Sequence, residues 1–297
     1  MRKFAIVTDS CSEFDKPLRE KYGVDYIPMH INYEDKEHIA CLDWSIISYK
    51  DFYDMLRNKI RVKTAQITAL EYKNAFKKYL DEGYDILSLS CSSALSASVK
   101  ASYVAREELL TDYPDAKIYC IDTVNACMGL GLLCISASQM REEGKTIDEV
   151  ASWIEEKKKT VNQECTVESL QYLKQAGRVS AASAFFGGLL SVKPIIISDV
   201  HGQNTAVEKV KGRATSFNRL IERFKEEYED VPYQNIYVVH GDCPEDAEKL
   251  KGMIQEFLPG KEVNIHPLGP IIGATTGPGT VAIYFYGKKV TFDHKAN

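Results

Sequence analysis

Several features that mark specialised protein classes are missing from this chain of 297 residues. No apolar segment reaches the roughly 20 residues that a membrane-spanning helix requires. The start, MRKFAIVTDS, has too short an apolar run for a signal peptide. The formal net charge of −5 argues against a nucleic acid as the partner. We therefore expect a soluble, cytoplasmic protein with no membrane span.

Metal and redox motifs are also missing. None of the eight cysteines is paired in a CxxC spacing, so the sequence contains no zinc or disulfide-exchange motif. Cys127 and Cys134 fall on one face of a predicted helix, where buried free thiols are common core residues. We expect structural thiols in a reducing compartment, with no metal site and no cofactor.

Catalytic signatures are weak. The chain has no GxGxxG motif, no Walker lysine and no GxSxG nucleophile elbow. An enzyme that uses the serines near residue 93, either a hydrolase or a small-molecule phosphotransferase, stays open as an alternative, because geometry and not spacing defines a catalytic triad. In such a hydrolase the nucleophile would be Ser93 or Ser10, and the general base would be His240. Asp9 or Asp122 would be the carboxylate that orients the base.

What the chain does contain is an alternation of strand and helix signals in its first half. Capping boxes such as Thr68 with Glu71 begin the helices. This alternation predicts a parallel, Rossmann-like sheet that helices cover on both faces. The predicted strands of this half are 3–8, 25–31, 86–89 and 117–121.

Strand signals in the second half follow one another or follow loops, which predicts a mixed sheet. They lie at 189–198, 236–240, 263–267 and 281–286. We therefore predict an α/β protein of two α/β domains, residues 1–160 and 161–297, with a ligand between them.

Residues 87–98, LSLSCSSALSAS, place hydroxyl groups where a strand ends and a predicted helix, 94–110, begins. The first N–H groups of a helix lack internal partners, and the helix dipole is positive there, so this geometry suits an anion. Ser92 or Ser93 as a simple helix cap is the competing interpretation. Asp9-Ser10 and Asp122-Thr123 follow other strands at the same predicted sheet edge, where ligands of such sheets bind.

Three further segments are candidates for ligand contact. The glycine-rich segment 269–279, GPIIGATTGPG, predicts a tight loop whose backbone can approach a ligand closely. Arg178 follows a predicted helix, 168–175, and could hold a carboxylate or simply bind the last carbonyl groups of that helix. Thr64 by itself is typical of an ordinary loop threonine.

Taken together, these motifs resemble those of the DegV family of bacterial fatty-acid-binding proteins. The similar segments follow the family order over most of the chain: IVTDSCSEF, KTAQITALEY, SSALSAS, IDTVNACMGLGLL, SLQYLKQAGRVS, LLSVKPII and GPIIGATTGPG.

The resemblance implies a protein that binds one long-chain fatty acid and serves as the binding subunit of a fatty acid kinase. A separate ATP-using subunit would phosphorylate the carboxylate, so this chain would not be the catalyst. The resemblance implies that Thr64 and Ser93 bind the carboxylate, with Ser96, Arg178 and Thr275 near the head group. A sensor that regulates a partner without phosphoryl transfer is equally compatible with the sequence.

The chain departs from the family pattern at several positions. Thr275 stands where the family commonly has a histidine, which removes a donor near the head group. Ala65 and Ile67 replace the usual Ser and Pro after Thr64. Alanines replace family glycines at positions 97 and 176.

The acyl chain requires an apolar tunnel, since each buried methylene contributes about 0.8 kcal/mol. The candidate lining residues, which could equally be plain core, are Met128, Leu130, Leu132, Leu133, Phe185, Phe186, Leu189 and Leu190.

Overall fold

The structure is a computed structural model, and it describes residues 2–180 and 192–296. Its strands are β1 (Phe4–Asp9), β2 (Val24–Ile27), β3 (His30–Tyr33), β4 (Lys36–Ile39), β5 (Lys63–Ala65), β6 (Asp85–Ser90), β7 (Ile118–Asp122), β8 (Val161–Thr166), β9 (Val192–Ser198), β10 (Asn204–Lys211), β11 (Ile236–His240), β12 (Val263–Pro267) and β13 (Val281–Tyr286). Its helices are α1 (Lys16–Tyr22), α2 (Tyr49–Arg57), α3 (Ala69–Asp81), α4 (Ser98–Asp112), α5 (Met128–Glu142), α6 (Ile147–Lys157), α7 (Gln171–Ala176), α8 (Arg213–Glu227), α9 (Pro244–Phe257) and α10 (Pro270–Thr276).

A parallel sheet of four strands, in the order β2-β1-β6-β7, forms the centre of the first half. Every residue of β1 and β6 is buried, as expected of strands covered on both faces. Capping boxes begin α3 at Thr68 and α6 at Thr146. The predicted α/β class and the parallel sheet are confirmed.

A second, antiparallel sheet of the first half has the order β4-β3-β5. The predicted single strand 25–31 is wrong here, because β2 ends at Ile27 and β3 begins at His30 in this other sheet. Pro28 lies between them, and a proline has no N–H group to continue a strand ladder. Thr64, which read as a loop residue, lies in β5 and pairs with Ile31.

The second half forms the predicted mixed sheet, in the order β10-β9-β8-β13-β11-β12. Only β11 and β12 run parallel to each other; the other described neighbours are antiparallel. One hydrophobic cluster nevertheless contains residues of both halves, from Phe4 to Tyr286. The domain boundary between residues 160 and 161 stays a prediction.

Two segments at the carboxyl edge of the parallel sheet differ from their predicted form. The predicted helix 94–110 begins only at Ser98, because Ser92 closes a separate turn, accepting the Ala94 N–H at its Oγ (3.2 Å) and the Ser96 N–H at its carbonyl oxygen (3.0 Å). The predicted loop 269–279 is largely helix α10, whose first residue is a proline with a pre-set φ. Only its end is a turn, with positive φ at Gly277 and Gly279.

Within the described ranges, no helix combines the length and the apolar character needed to cross a membrane. All eight cysteines are free thiols, and five of them are buried.

Candidate functional site

A cavity of about 260 Å³ lies between the parallel sheet and the mixed sheet. A single water molecule needs only about 10–15 Å³ on the same measure, so the space admits an organic molecule. Loops that follow β1, β6 and β7 form one wall, through Cys11, Cys91 and Cys127. The cavity thus lies beyond the carboxyl ends of parallel strands, where ligands of such sheets bind.

The mixed sheet forms the opposite wall. Gln163 and Cys165 of β8 and Ala282 and Tyr284 of β13 line the cavity. Alternate residues of a strand point to one face, so the sheet presents a single face to the space. The Tyr284 hydroxyl donates to Gln163 Oε1 at 2.9 Å, so these two buried side chains are hydrogen-bonded to each other within the wall.

Most of the wall is apolar and uncharged. Burial raises the pKa of the Cys165 thiol to about 12 and that of Cys127 well above its usual range, so both stay neutral at pH 7. A neutral thiol behaves as a small hydrophobic group. Aliphatic side chains complete the wall: Met29, Leu95, Leu173, Ile196, Val239, Leu268, Ile271 and Ile272. This surface suits a hydrocarbon chain.

One part of the cavity is polar, and it brings together four of the five predicted site residues: Thr64, Ser96, Arg178 and Thr275. The Arg178 guanidinium donates from Nε to the Leu95 carbonyl oxygen at 3.2 Å, and from Nη1 to that of Ala176, the last residue of α7. The second contact is the local helix-end bond that spacing alone suggested. The first joins Arg178 to the serine segment.

Ser93, the fifth predicted residue, is exposed, and the described residues that line the cavity do not include it. Its N–H donates to Asp122 Oδ1 at 3.2 Å. Ser96 takes the position on the cavity wall because α4 starts at Ser98. The Ser96 Oγ lies 2.9 Å from the Ser98 Oγ, which accepts the Ile67 N–H at 3.2 Å. A role for Ser93 in binding stays a prediction.

Asp9, which sequence reasoning treated as a candidate triad carboxylate, holds two cavity loops together. Its Oδ1 accepts the Cys11 N–H at 2.9 Å, and its Oδ2 accepts the Cys91 N–H at 2.7 Å. The side chain is fully buried, and burial raises its pKa to about 6. The carboxylate therefore positions two wall residues.

The candidate residues of the alternative hydrolase do not form a hydrogen-bonded triad in the described structure. Burial lowers the pKa of His240, whose Nδ1 accepts the Cys243 N–H at 3.3 Å. The Ser10 hydroxyl donates to the Ala40 carbonyl oxygen at 3.0 Å. Among the described residues, His240 makes no hydrogen bond with Ser10 or Ser93.

The half of the predicted tunnel lining that falls on α5 does not line the cavity. Met128, Leu130, Leu132 and Leu133 are fully buried in the core on α5 and are not among the described residues that line the cavity. Phe185, Phe186, Leu189 and Leu190 lie outside the described residues. Sequence reasoning missed Ile271 and Ile272, because α10 read as a loop.

A second, polar pocket of about 220 Å³ adjoins the polar part of the cavity. The two spaces share Thr64, Arg178 and Thr275. Arg61 and Lys63 also line the pocket, and sequence reasoning missed these two cations although they lie within the three residues before Thr64.

Comparison with known proteins identifies the family of this chain. The model of the DegV family, described as "Uncharacterised protein, DegV family", matches residues 3–288. A DegV domain-containing protein of Clostridium perfringens is 40% identical over 287 residues, which is 97% of this chain and 98% of that protein.

Solved structures of similar proteins share the fold. A fatty-acid-binding DegV family protein from Thermus thermophilus superposes with a TM-score of 0.85 at 25% identity, over 97% of this chain and 100% of that one. DegV from Bacillus subtilis, a fatty acid binding protein, gives a TM-score of 0.82 at 26% identity, with the same coverage. From the family match, the sequence identity and the shared fold, the chain belongs to the DegV family.

Proposed function

We propose that this chain binds one long-chain fatty acid in the cavity between its sheets. The acyl chain lies against the thiol and aliphatic wall, and the carboxylate lies at the polar part. The observation that carries this proposal is an apolar cavity with Thr64, Ser96 and Arg178 together on its wall. Fatty-acid binding by the similar proteins of Thermus thermophilus and Bacillus subtilis supports it.

The energetics of such a site are favourable. Burial of a carboxylate is costly unless hydrogen bonds compensate for the lost water. Two hydroxyls and a guanidinium can supply those bonds, and hydrogen bonds to charged groups are the stronger kind. The acyl chain adds about 0.8 kcal/mol for each buried methylene. Most of the affinity therefore comes from the tail, and the polar groups fix its direction.

Thr275, in place of the family histidine, changes what the site can donate. Its hydroxyl donates to the Ile271 carbonyl oxygen at 2.9 Å, so its only proton is used within α10. A histidine N–H in this place would be a possible donor to the carboxylate. The side chains on the cavity wall that we propose as donors to the carboxylate are therefore Thr64, Ser96 and Arg178.

We propose further that the bound carboxylate is presented to a separate ATP-using kinase subunit in the cytoplasm, and that this chain is not itself the catalyst. In that reaction a carboxylate oxygen bonds to the terminal phosphorus of ATP, and the bond from that phosphorus to ADP breaks. The products are an acyl phosphate and ADP.

Native mass spectrometry of the gently purified protein tests the binding step. We expect one acyl chain per chain of protein, either co-purified or after incubation with hexadecanoic acid. Absence of a bound lipid in both samples would contradict fatty-acid binding. Incubation of the isolated chain with ATP and fatty acid tests the second step, and formation of acyl phosphate without a partner would make the chain the catalyst.

A further inference from the structure

The arginines of this chain are almost all paired with carboxylates. Eight of the ten lie within 4.0 Å of an Asp or Glu oxygen: Arg2, Arg19, Arg57, Arg106, Arg141, Arg213, Arg219 and Arg223. Arg61 and Arg178 have no carboxylate partner among the described residues. The internal residues outside the description, 181–191, contain no Asp or Glu and cannot supply one.

Both unpaired arginines line the same space, the polar pocket of about 220 Å³ beside the cavity. Lys63 lines it too and likewise has no ion pair in the described part of the chain. No Asp or Glu is among the described lining residues. In a chain with a net charge of −5, three uncompensated positive charges are thus concentrated around one pocket.

The head group of a fatty acid does not account for this charge. A carboxylate carries one negative charge and would leave two of the three cations uncompensated. A phosphoryl group carries about −1.5 to −2 near pH 7 and presents several acceptor oxygens. Arginine binds such groups through two parallel N–H bonds, and lysine acts as a point charge.

The geometry points to a binding site for the phosphoryl group of an acyl phosphate in the pocket formed by Arg61, Lys63 and Arg178. This inference rests on the proposed function, because the acyl chain occupies the adjoining cavity. Thr64 and Arg178 line both spaces, so the carbon of the carboxyl group lies near them and the phosphorus lies beyond it. Arg61 and Lys63 line the outer pocket and not the cavity.

Because Arg61 and Lys63 line the outer pocket and not the cavity, substitutions at these positions distinguish a phosphoryl head group from a carboxylate. Arg61 and Lys63 are exposed, and their side chains make no hydrogen bond or ion pair with described residues. Replacing these side chains removes charge and leaves the backbone pairing of Lys63 with Asn32 in place. Isothermal titration calorimetry is run with hexadecanoic acid and with an acyl phosphonate of equal length, a mimic of acyl phosphate that cannot transfer its phosphoryl group. The proteins are the wild type, the R61Q/K63Q variant and, as control, Arg106→Gln, which changes a partly exposed arginine on α4.

We expect R61Q/K63Q to lose about tenfold or more in affinity for the acyl phosphonate, because charge-assisted hydrogen bonds are removed. Its affinity for hexadecanoic acid should change much less, and Arg106→Gln should change neither. An equal loss for both ligands would show that the cations serve the carboxylate, and an unchanged affinity for the phosphonate would show that they bind no phosphoryl group. Either result overturns the inference.

Inorganic phosphate, titrated alone and in competition, distinguishes a phosphoryl group on an acyl chain from free phosphate. We expect no displacement of the acyl phosphonate by equimolar phosphate, and displacement would overturn the assignment. If the wild type binds neither amphiphile, the proposed function fails as well. If it binds hexadecanoic acid but R61Q/K63Q leaves the phosphonate affinity intact, only this inference fails.

Discussion

At the scale of single residues, the polar part of the cavity raises the question of which serine faces a ligand. Ser93 has the exposed position in a turn, and its N–H is bound to Asp122. Ser96 lies on the cavity wall, three residues further along the chain. The start of α4 at Ser98 leaves both serines in the segment that precedes the helix, and the cavity wall contains Ser96.

Substitution of each serine separates the two assignments. Ser96→Ala should weaken fatty-acid binding by roughly 1.5–3 kcal/mol, because a hydrogen bond to a charged group is lost. Ser93→Ala, the matched control three residues away, should leave the affinity unchanged. Calorimetry with hexadecanoic acid measures both, and the reverse pattern would restore Ser93 as the carboxylate ligand.

Glu164 gives the stability a defined dependence on pH. Its side chain is 2% exposed and accepts from Arg223 Nε at 2.6 Å, yet burial outweighs this pairing and raises its pKa to about 7. The folded state therefore holds the proton more tightly than the unfolded state does. This group contributes stability below the unfolded pKa of 4.5, and that contribution is lost as the pH rises to about 7.

Urea unfolding at pH 5 and pH 8 tests this sign. The glutamine of Glu164→Gln does not titrate. The difference in free energy of unfolding, variant minus wild type, should therefore increase from pH 5 to pH 8 by up to about 3 kcal/mol. Glu208 is a control of opposite sign, since its pairing with Arg219 lowers its pKa. Parallel pH profiles of Glu164→Gln and the wild type would contradict the prediction.

At the scale of elements, the loops that follow β1 and β6 are held by one carboxylate. Asp9 accepts one N–H from each loop, at Cys11 and Cys91, and both residues line the cavity. The carboxylate is fully buried, so it accepts these two bonds away from bulk solvent. The shape of this wall therefore depends on a residue that does not itself line the cavity.

Asp9→Ala should destabilise the protein by about 1–3 kcal/mol for each N–H left without a partner, and should also weaken fatty-acid binding. Cys11→Ala is the control, because it keeps the backbone N–H and removes only the thiol. Thermal unfolding and calorimetry measure the two effects. A variant with lower stability but intact affinity would show that the wall keeps its shape without this contact.

The elements also show where sequence information is sufficient. Capping boxes and apolar periodicity predict α3 and α6, since the signals are local and contiguous. Helix α10 could not be predicted from its sequence, because its glycines are typical of a loop and its helical form depends on tertiary contacts. An added Cβ at Gly273 would come within 3.0 Å of Tyr53 and Phe52, so this glycine serves close packing. β4 and β10 are not predicted at all, because half-exposed strands carry few apolar residues.

At the scale of the whole molecule, a ligand in the cavity touches both halves of the chain. Cys91 belongs to the first half and Cys165 to the second, and both line the same space. Of the site, the family resemblance implied that Thr64, Ser93, Ser96, Arg178 and Thr275 lie near one head group, and all of these except Ser93 line the cavity. The charge of the outer pocket could not be predicted, because the absence of carboxylates around Arg61 is a property of three-dimensional proximity.

Binding should therefore raise the unfolding temperature of the entire protein. A ligand at a hundred times its Kd stabilises the folded state by about 2.7 kcal/mol. We expect hexadecanoic acid to raise the Tm of delipidated protein in a single transition. The methyl ester of the same acid lacks the negative charge and should raise the Tm less. An equal shift with the ester would show that the polar part of the cavity contributes nothing.

The position of β13 has a consequence for how this protein is made. β13 lies in the middle of the mixed sheet, between β8 and β11, although it follows all the other described strands along the chain. The cavity needs Ala282 and Tyr284 from this strand, together with Cys11 from the beginning. During synthesis the ribosome must therefore release residue 284 before the cavity can close. A ligand therefore meets the complete cavity only after residue 284 has left the ribosome, and it cannot guide the earlier folding of the nascent chain.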